Sequence, residues 1–400
     1  MPTKSWALGA LMALATFSAV RSECDDIDKY FGDVNSVSEI DLGDVTSVEC
    51  PANDEGGELD EVLIESGKTL TIKSTQDYVR FVNLRFTVEE GAELYFDMPE
   101  TRFGPNSGAR EGGEGFMLEV LAGGTAMFLG DFHGTEVDNI RSMFYNSGTM
   151  DFKGDTLFDN NGNVFRSNLG TLKFRGHSVF KDNAWLAIDN AGDDAFVRFS
   201  KTATFDNNAG GFDGASGCGV SNRDGTAIFR DDVVFSNHRC SEGAAIFNGG
   251  KMTFYGKAYF NDNINFMDWG GGARNINGNL LFKGAVQFNR NEAEHGGGIA
   301  VTGGDVTFRR AVKFDSNGAD FSGGAFALTF GGPYGTPDEE IGPGVMTFQK
   351  PNVVRIADNF IVDSQYNDEP VTGCTLGYVQ EGTTLVGFDF DDVCMEDTVA

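Results

Sequence analysis

The sequence predicts an all-β fold, a right-handed parallel β-helix (solenoid) of about 8–11 coils with capping ends. Seven segments carry two Phe residues six positions apart, and the leading Phe recurs every 22 to 30 residues. An Asn stands three residues after the second Phe in six of these seven segments. With 54 Gly and 36 Phe in 400 residues, the chain has too much Gly for a helical protein and too much Phe for a disordered one.

Each repeat predicts three short strands separated by three turns. The residues two positions before each Phe are apolar or small, which is the alternation of half-buried strands. Because a single repeat cannot bury its own Phe pair, stacked repeats are expected to bury two continuous Phe ladders. The pairs are Phe152/Phe158, Phe174/Phe180, Phe199/Phe205, Phe229/Phe235, Phe254/Phe260, Phe282/Phe288 and Phe308/Phe314; the Asn column is Asn161, Asn183, Asn208, Asn263, Asn291 and Asn317, with His238 in the seventh segment.

The N-terminal residues resemble a removable secretory signal. Lys4 precedes an apolar stretch, residues 6–20, that is too short to span a bilayer. Val20 and Ser22 suit the −3 and −1 positions of a cleavage site. Residues 1–22 are therefore expected to be a signal peptide, and the chain is expected to be secreted, extracellular or at the cell surface, with no membrane span.

The remaining chain divides into three predicted segments. Residues 23–60 form an acidic N-terminal segment or cap, residues 61–350 form the β-helix, and residues 351–400 form a C-terminal cap. Caps are expected because an open coil end exposes unpaired strand edges and core.

Six cysteines follow the predicted signal. An even number in a secreted chain indicates disulfides, although six cysteines allow fifteen connectivities. Proximity along the chain favours the pairs 24–50, 218–240 and 374–394. The candidates are Cys24, Cys50, Cys218, Cys240, Cys374 and Cys394.

The net charge of −30 argues against a nucleic-acid partner, since phosphate contacts need clustered Lys and Arg. Acidic pairs occur at 193–194, 231–232 and 391–392. They could bind calcium or act as general acids and bases, but they occupy different parts of different repeats, and solvated loop acids are the simpler interpretation. No cofactor is predicted, with Ca²⁺ left open, and no metal-ligand spacing stands out.

One column of the repeat is basic, although acids outnumber bases two to one in the whole chain. It could bind a regularly charged polymer such as an acidic polysaccharide, or its cations could be local counter-charges to the acidic surface. Trp185 and Trp269, in third-strand segments, could stack on sugar rings, although burial is the competing interpretation. The column follows the leading Phe and reads Lys153, Arg175, Ser200, Arg230, Tyr255, Lys283 and Arg309.

No catalytic residue is predicted. The Asn column is expected to bond from coil to coil and to satisfy buried turns, and His238 is expected to substitute for Asn there. His133, His177 and His295 have no recognisable partner spacing.

Two motifs recur in register. F-x-x-N stands six times between Phe158–Asn161 and Phe314–Asn317, and a looser G-G-A element stands at Gly243–Ile246, Gly297–Ile299 and Gly323–Phe326. Over roughly residues 140–330 these resemble the repeats of the chlamydial polymorphic outer membrane proteins. The resemblance implies a pectin-lyase-like β-helix used in adhesion. In that family a membrane barrel follows the repeats, but residues 351–400 lack the alternating strands of a barrel, so no autotransporter barrel is expected.

Two functions remain open from the sequence. The first is a secreted non-enzymatic β-helix for adhesion or for binding an extracellular polysaccharide or surface. The alternative is a carbohydrate-active enzyme, a polysaccharide lyase, hydrolase or epimerase of pectin-lyase-like fold. The expected partner is an acidic polysaccharide or a cell-surface or matrix protein. The oligomeric state is not predicted.

Overall fold

The computed structural model describes most of the chain. It divides into two compact units, Met1–Ser178 (the N-terminal unit) and Val179–Ala400 (the C-terminal unit). The predicted signal peptide, Cys24, Cys374 and Asp391–Asp392 lie outside the described residues. The residues that the structure describes are 29–50, 60–104, 113–137, 140–209, 217–241, 243–267, 269–329, 343–349, 354–361, 377–379, 384–386 and 394–395.

In the N-terminal unit, three parallel sheets follow a short 3-10 turn, Val34–Ser36. Successive strands of one sheet come from successive coils, as the repeat predicts. The first sheet contains β1 (Glu39–Asp41), β4 (Thr69–Lys73), β7 (Glu93–Asp97), β10 (Thr125–Phe128), β13 (Thr149–Phe152) and β16 (Thr171–Phe174); the second contains β2 (Ser47–Glu49), β5 (Val79–Val82), β8 (Glu100–Phe103), β11 (Asp131–Thr135) and β14 (Thr156–Asp159); the third contains β3 (Asp60–Ile64), β6 (Leu84–Val88), β9 (Gly113–Val120), β12 (Ile140–Asn146) and β15 (Phe165–Asn168).

The C-terminal unit repeats the arrangement and adds a short fourth sheet. Its first sheet contains β19 (Phe196–Phe199), β22 (Thr226–Phe229), β26 (Lys251–Phe254), β30 (Asn279–Phe282), β34 (Gly304–Phe308), β38 (Gly344–Phe348) and β42 (Thr384–Val386). The second contains β17 (Ser178–Lys181, whose first residue ends the N-terminal unit), β20 (Ala203–Asp206), β23 (Val233–Ser236), β27 (Ala258–Asn261), β31 (Val286–Asn289), β35 (Val312–Asp315) and β39 (Val354–Ala357). The third contains β18 (Ile188–Asn190), β21 (Val220–Asn222), β25 (Ile246–Asn248), β29 (Ala273–Asn275), β33 (Ile299–Val301), β37 (Phe326–Leu328), β41 (Gly377–Val379) and β43 (Cys394–Met395); the fourth contains β24 (Arg239–Cys240), β28 (Ile264–Asn265), β32 (Glu292–His295), β36 (Gly318–Ser322) and β40 (Phe360–Ile361).

The predicted fold class is confirmed, because the described residues are all-β and their parallel sheets form a solenoid. Parallel pairing also extends into both segments that the sequence assigns to caps, since β1 pairs with β4 and β41 pairs with β43. The described residues contain no helical segment with the length and hydropathy that a membrane-spanning helix requires.

The two Phe ladders fill the C-terminal unit. Neighbouring rings in both ladders stack nearly parallel, with centroids 4.7–5.1 Å apart. Burial of each ring stabilises the fold by about 1.5–3 kcal/mol. One ladder is Phe199, Phe229, Phe254, Phe282, Phe308 and Phe348; the other is Phe180, Phe205, Phe235, Phe260, Phe288 and Phe314.

The N-terminal unit packs its core less regularly. Phe96, Phe128, Phe152 and Phe174 stack at 4.5–5.1 Å in one ladder. Phe144, from the third sheet, reaches into the same core and meets Phe152 edge-to-face at 5.9 Å. The N-terminal unit differs from the C-terminal unit in its ring packing because the Phe spacing of its first coils departs from the regular repeat.

The Asn column forms a buried hydrogen-bond ladder, as predicted. The Asn263 side chain donates to the Phe235 carbonyl oxygen (3.2 Å) and to Oδ1 of Asn291 (2.8 Å), and its own oxygen accepts from the His238 N–H (3.1 Å). Each amide thereby joins three coils. Asp262, directly before Asn263, has φ 57°, a left-handed conformation that Asp and Asn tolerate.

A second Asn ladder ends the third strands and was not predicted. Side-chain amides of Asn190, Asn222, Asn248 and Asn275 bond from coil to coil at 2.7–2.8 Å, and all four residues are fully buried. In the N-terminal unit Asn146 donates to Asn168 in the same way at 2.7 Å.

The predicted pair Cys218–Cys240 is a disulfide, with the two Cα atoms 6.1 Å apart. Both cysteines are fully buried, so the bond is a structural link between neighbouring coils. Cys50 is also disulfide-bonded.

Candidate ligand-binding surface

The basic column follows the leading strand of each coil, at the turn between the first and second sheets. In the N-terminal unit its cations are neutralised. Lys153 Nζ lies 2.7 Å from a carboxylate oxygen of Asp151, and Arg175 donates to the same carboxylate from Nε (2.8 Å) and from its terminal nitrogen (2.7 Å). The Asp151 side chain is only 4% exposed. These two cations are counter-charges to a buried acid.

The pKa of Asp151 reflects this arrangement. Burial alone would raise the pKa of the Asp151 carboxyl, but the hydrogen bonds from Arg175 and Lys153 outweigh it and hold that pKa below its ordinary value. The carboxylate is thus charged and occupied at neutral pH. A ligand anion would have to compete with it for both cations.

Among the described residues of the C-terminal unit, the same column has no such acid. The guanidinium carbon of Arg230 lies 4.3 Å from the centroid of the Tyr255 ring, and Lys283 Nζ lies 4.0 Å from it. Cation–π attraction holds both cations against the ring. A hydrogen bond from Lys283, reinforced by the charges of Lys283 and Arg230, lowers the pKa of the Tyr255 hydroxyl.

Further cations extend this surface. Arg309 follows Lys283 in the next coil, because Phe282 pairs with Phe308, and Arg310 and Lys257 lie in the same row of turns. Within the described part of the chain, none of these three side chains forms an ion pair. We call this surface the basic corner; it consists of Arg230, Tyr255, Lys257, Lys283, Arg309 and Arg310, of which all but the half-buried Lys283 are exposed.

The two tryptophans lie elsewhere in the C-terminal unit and do not share a column. Trp185 stands three residues before β18, whereas Trp269 stands four residues before β29. The His295 ring stacks on Trp269 with centroids 4.1 Å apart, so one face of the indole is covered. Trp185 is half-buried.

The histidines do not assemble a catalytic group among the residues described. Burial lowers the pKa of His295 to about 4, and its Nδ1 lies 2.7 Å from the Ser322 hydroxyl. His133, in the N-terminal unit, lies 3.6 Å from Glu100, and burial lowers its pKa as well. His238 is fully buried in the Asn ladder.

The acidic pairs do not form a metal site within the described chain. Asp193 and Asp194 are exposed, and Asp231 accepts a hydrogen bond from the Asp232 N–H at 2.9 Å. Among the residues that can be placed, no group of three or more His, Cys, Asp or Glu side chains could hold a metal ion.

Sequence reasoning missed the partners that decide which cations are available. The sequence contains a signal for the partner of Lys153. Alternate residues of a strand share a face, so Asp151, two residues earlier, is expected beside this lysine. Lys257 and Arg310 were missed because they stand three and two residues after the leading Phe, whereas the aligned column stands directly after it.

No family model, curated protein or solved structure matches the chain. The geometry of the residues themselves therefore carries the functional argument.

Proposed function

We propose that the basic corner binds a linear acidic polysaccharide, and that the chain is a secreted, non-enzymatic binding or adhesion protein. The observation that carries this proposal is the Arg230–Tyr255–Lys283 stack, in which two cations that have no carboxylate partner among the described residues are fixed on one aromatic ring. The resemblance of the F-x-x-N repeats to those of chlamydial adhesins supports the same function.

The spacing of the corner suits a polymer. Successive coils of a parallel sheet are about 4.8 Å apart, so the column presents groups at regular intervals along the solenoid axis, close to the length of one sugar residue in an extended chain. The Tyr255 ring holds Arg230 and Lys283 in place before binding, which reduces the side-chain entropy lost on association.

The acidic surface of the protein does not exclude an anionic ligand. At physiological ionic strength, charges more than about 8 Å apart are largely screened. Distant carboxylates then repel the polymer weakly, while the cations in contact with it remain effective. The enzymatic alternative has no supporting observation in the described residues.

Replacing Lys283 and Arg309 by Ala together should weaken binding of a polyuronate or a sulfated glycan on the order of tenfold, because each lost cation removes one anion contact. The slope of the logarithm of affinity against that of salt concentration should fall by about 2. Calorimetry between low and physiological salt measures both quantities.

The matched control is Arg239→Ala with Lys251→Ala, which removes the same two charges from exposed positions of the same unit. Equal losses in the two double variants would show that net charge alone matters and would contradict the proposal. Release of unsaturated or reducing sugar ends during the incubation would favour the enzyme instead.

A second expectation concerns ligand length. The corner spans four successive coils, from Arg230 through Tyr255 and Lys283 to Arg309. Affinity for defined acidic oligosaccharides should therefore rise up to about four sugar residues and then level off. A titration series of purified oligosaccharides measures this; affinity independent of length from the dimer upward would contradict an axial binding mode.

A further inference from the structure

A depression of about 310 Å³ opens on the outer face of the second sheet in the C-terminal unit. It lies along the first residues of β31, β35 and β39. Gln287, Lys313 and Arg355 supply its polar groups, and Ala285 and Ala311 form the side next to the basic corner.

The depression exists because two turn residues are small. Ala285 and Ala311 stand directly before β31 and β35, and the strand register aligns them with Asp232 and Lys257 in the two preceding coils. Longer side chains fill the surface at those earlier positions. In the later coils the two alanines line the depression, and Lys283 and Arg309 stand two residues before them in the sequence.

The polar lining is rich in hydrogen-bond donors. The one carboxylate bonded to it in the described residues is Asp315, which accepts a hydrogen bond from Lys313. An ammonium has three donors, so Lys313 retains capacity for a ligand. Arg355 is exposed and, within the part of the chain that can be described, forms no ion pair.

We propose that this depression is a subsite for one anionic sugar residue at the end of the polymer that the basic corner binds. The sugar class rests on the proposed function. The volume is at the lower limit of small-molecule pockets, which begin at about 300 Å³, and so accommodates one ring. The planar Arg355 fork can bind a carboxylate or a sulfate through two parallel hydrogen bonds, while the Gln287 amide can bond a ring hydroxyl.

Two variants test the subsite without disturbing the corner. Ala311→Phe fills the depression at constant charge, and Arg355→Gln removes the fork but keeps hydrogen-bonding capacity. Each should weaken binding of a glucuronic acid dimer, and of its sulfated counterpart, by about tenfold. The neutral glucose dimer should bind weakly to all proteins. Ala184→Phe, which adds the same ring at an exposed position of the same unit, is the control and should change nothing.

The outcomes separate the two proposals. If Lys283→Ala with Arg309→Ala weakens polymer binding while Ala311→Phe and Arg355→Gln leave dimer binding intact, the subsite is overturned and the basic corner stands. If the pocket variants abolish dimer binding while the double variant binds polymer normally, the subsite stands and the basic corner is overturned. Unchanged binding in every variant overturns both. Preference between the carboxylated and the sulfated dimer identifies the anion.

Discussion

Asn263→Ala is expected to lower the free energy of unfolding by about 3 kcal/mol, because it leaves the buried His238 N–H without a partner, at about 1–3 kcal/mol, and removes two further buried hydrogen bonds, at about 0.5–1.5 kcal/mol each. The His238 N–H loses its acceptor, Asn263 Oδ1, and the Phe235 carbonyl oxygen loses the hydrogen bond from Asn263 Nδ2. The site is fully buried, so water cannot replace either bond without opening the core. Chemical denaturation followed by circular dichroism measures the loss.

Asn261→Ala provides a matched control in the same turn. Asn261 lies two positions earlier and is half-buried on the outer surface, where its Oδ1 accepts from Asn289 at 2.8 Å. Its loss should cost less than about 1 kcal/mol, since water can reach the freed amide. Amide hydrogen exchange shows which coils are destabilised, because the coils of a solenoid interact only with their neighbours. Faster exchange confined to the coils on either side of Asn263 is expected; equal effects of the two variants would contradict a special role for the ladder.

The fold was predictable because its unit is short and repeats in register. The Phe pairs identified both ladders of the C-terminal unit, and the fixed three-residue spacing to Asn identified the first amide ladder. The second ladder was missed because its members precede the next leading Phe by a variable distance. Asn248 lies six residues before Phe254, whereas Asn190 lies nine before Phe199. A turn that varies in length hides a column that the folded coils nevertheless align.

The candidate site was predictable only as a column of residue types. The alignment placed Arg175 and Arg230 in equivalent positions, but their surroundings differ. Asp151 neutralises Arg175, while the Tyr255 ring holds Arg230 without removing its charge. The depression near Arg355 was not predictable, because it depends on two alanines in turns and on strand register beyond the aligned repeats. Whether a cation is available depends on neighbours in adjacent coils, which a single column does not reveal.

His238 makes the same ladder sensitive to acid. Its Nδ1 lies 3.2 Å from the Asn208 backbone nitrogen and 3.1 Å from the Asn208 carbonyl oxygen, and its buried Nε2 has no hydrogen-bond partner among the described residues. Burial lowers the pKa of the His238 imidazole from 6.5 to about 4. The folded chain therefore keeps the His238 ring neutral, and the full stability of the fold is present above pH 6.5. As pH falls from 6.5 to about 4, the unfolded chain binds a proton at this histidine while the folded chain does not, and about 3 kcal/mol of stability is lost across that range.

His238→Asn should abolish this loss and repair the ladder. At pH 7 the variant is expected to be about 1 kcal/mol more stable than the natural chain, because a second amide can bond both neighbouring coils. The difference should widen to about 4 kcal/mol at pH 4, where the natural chain also bears the cost of the buried proton. Groups that do not interact with His238 contribute equally to both proteins and cancel in the difference. His238→Leu separates the two effects, because it removes the titration and also leaves the Asn208 N–H without its acceptor. Its difference curve should have the same slope as that of His238→Asn but should show a loss of stability at pH 7. Unfolding free energies measured between pH 8 and pH 4 provide both curves, and a flat difference for His238→Asn would mean that the folded chain accepts the proton as readily as the unfolded one.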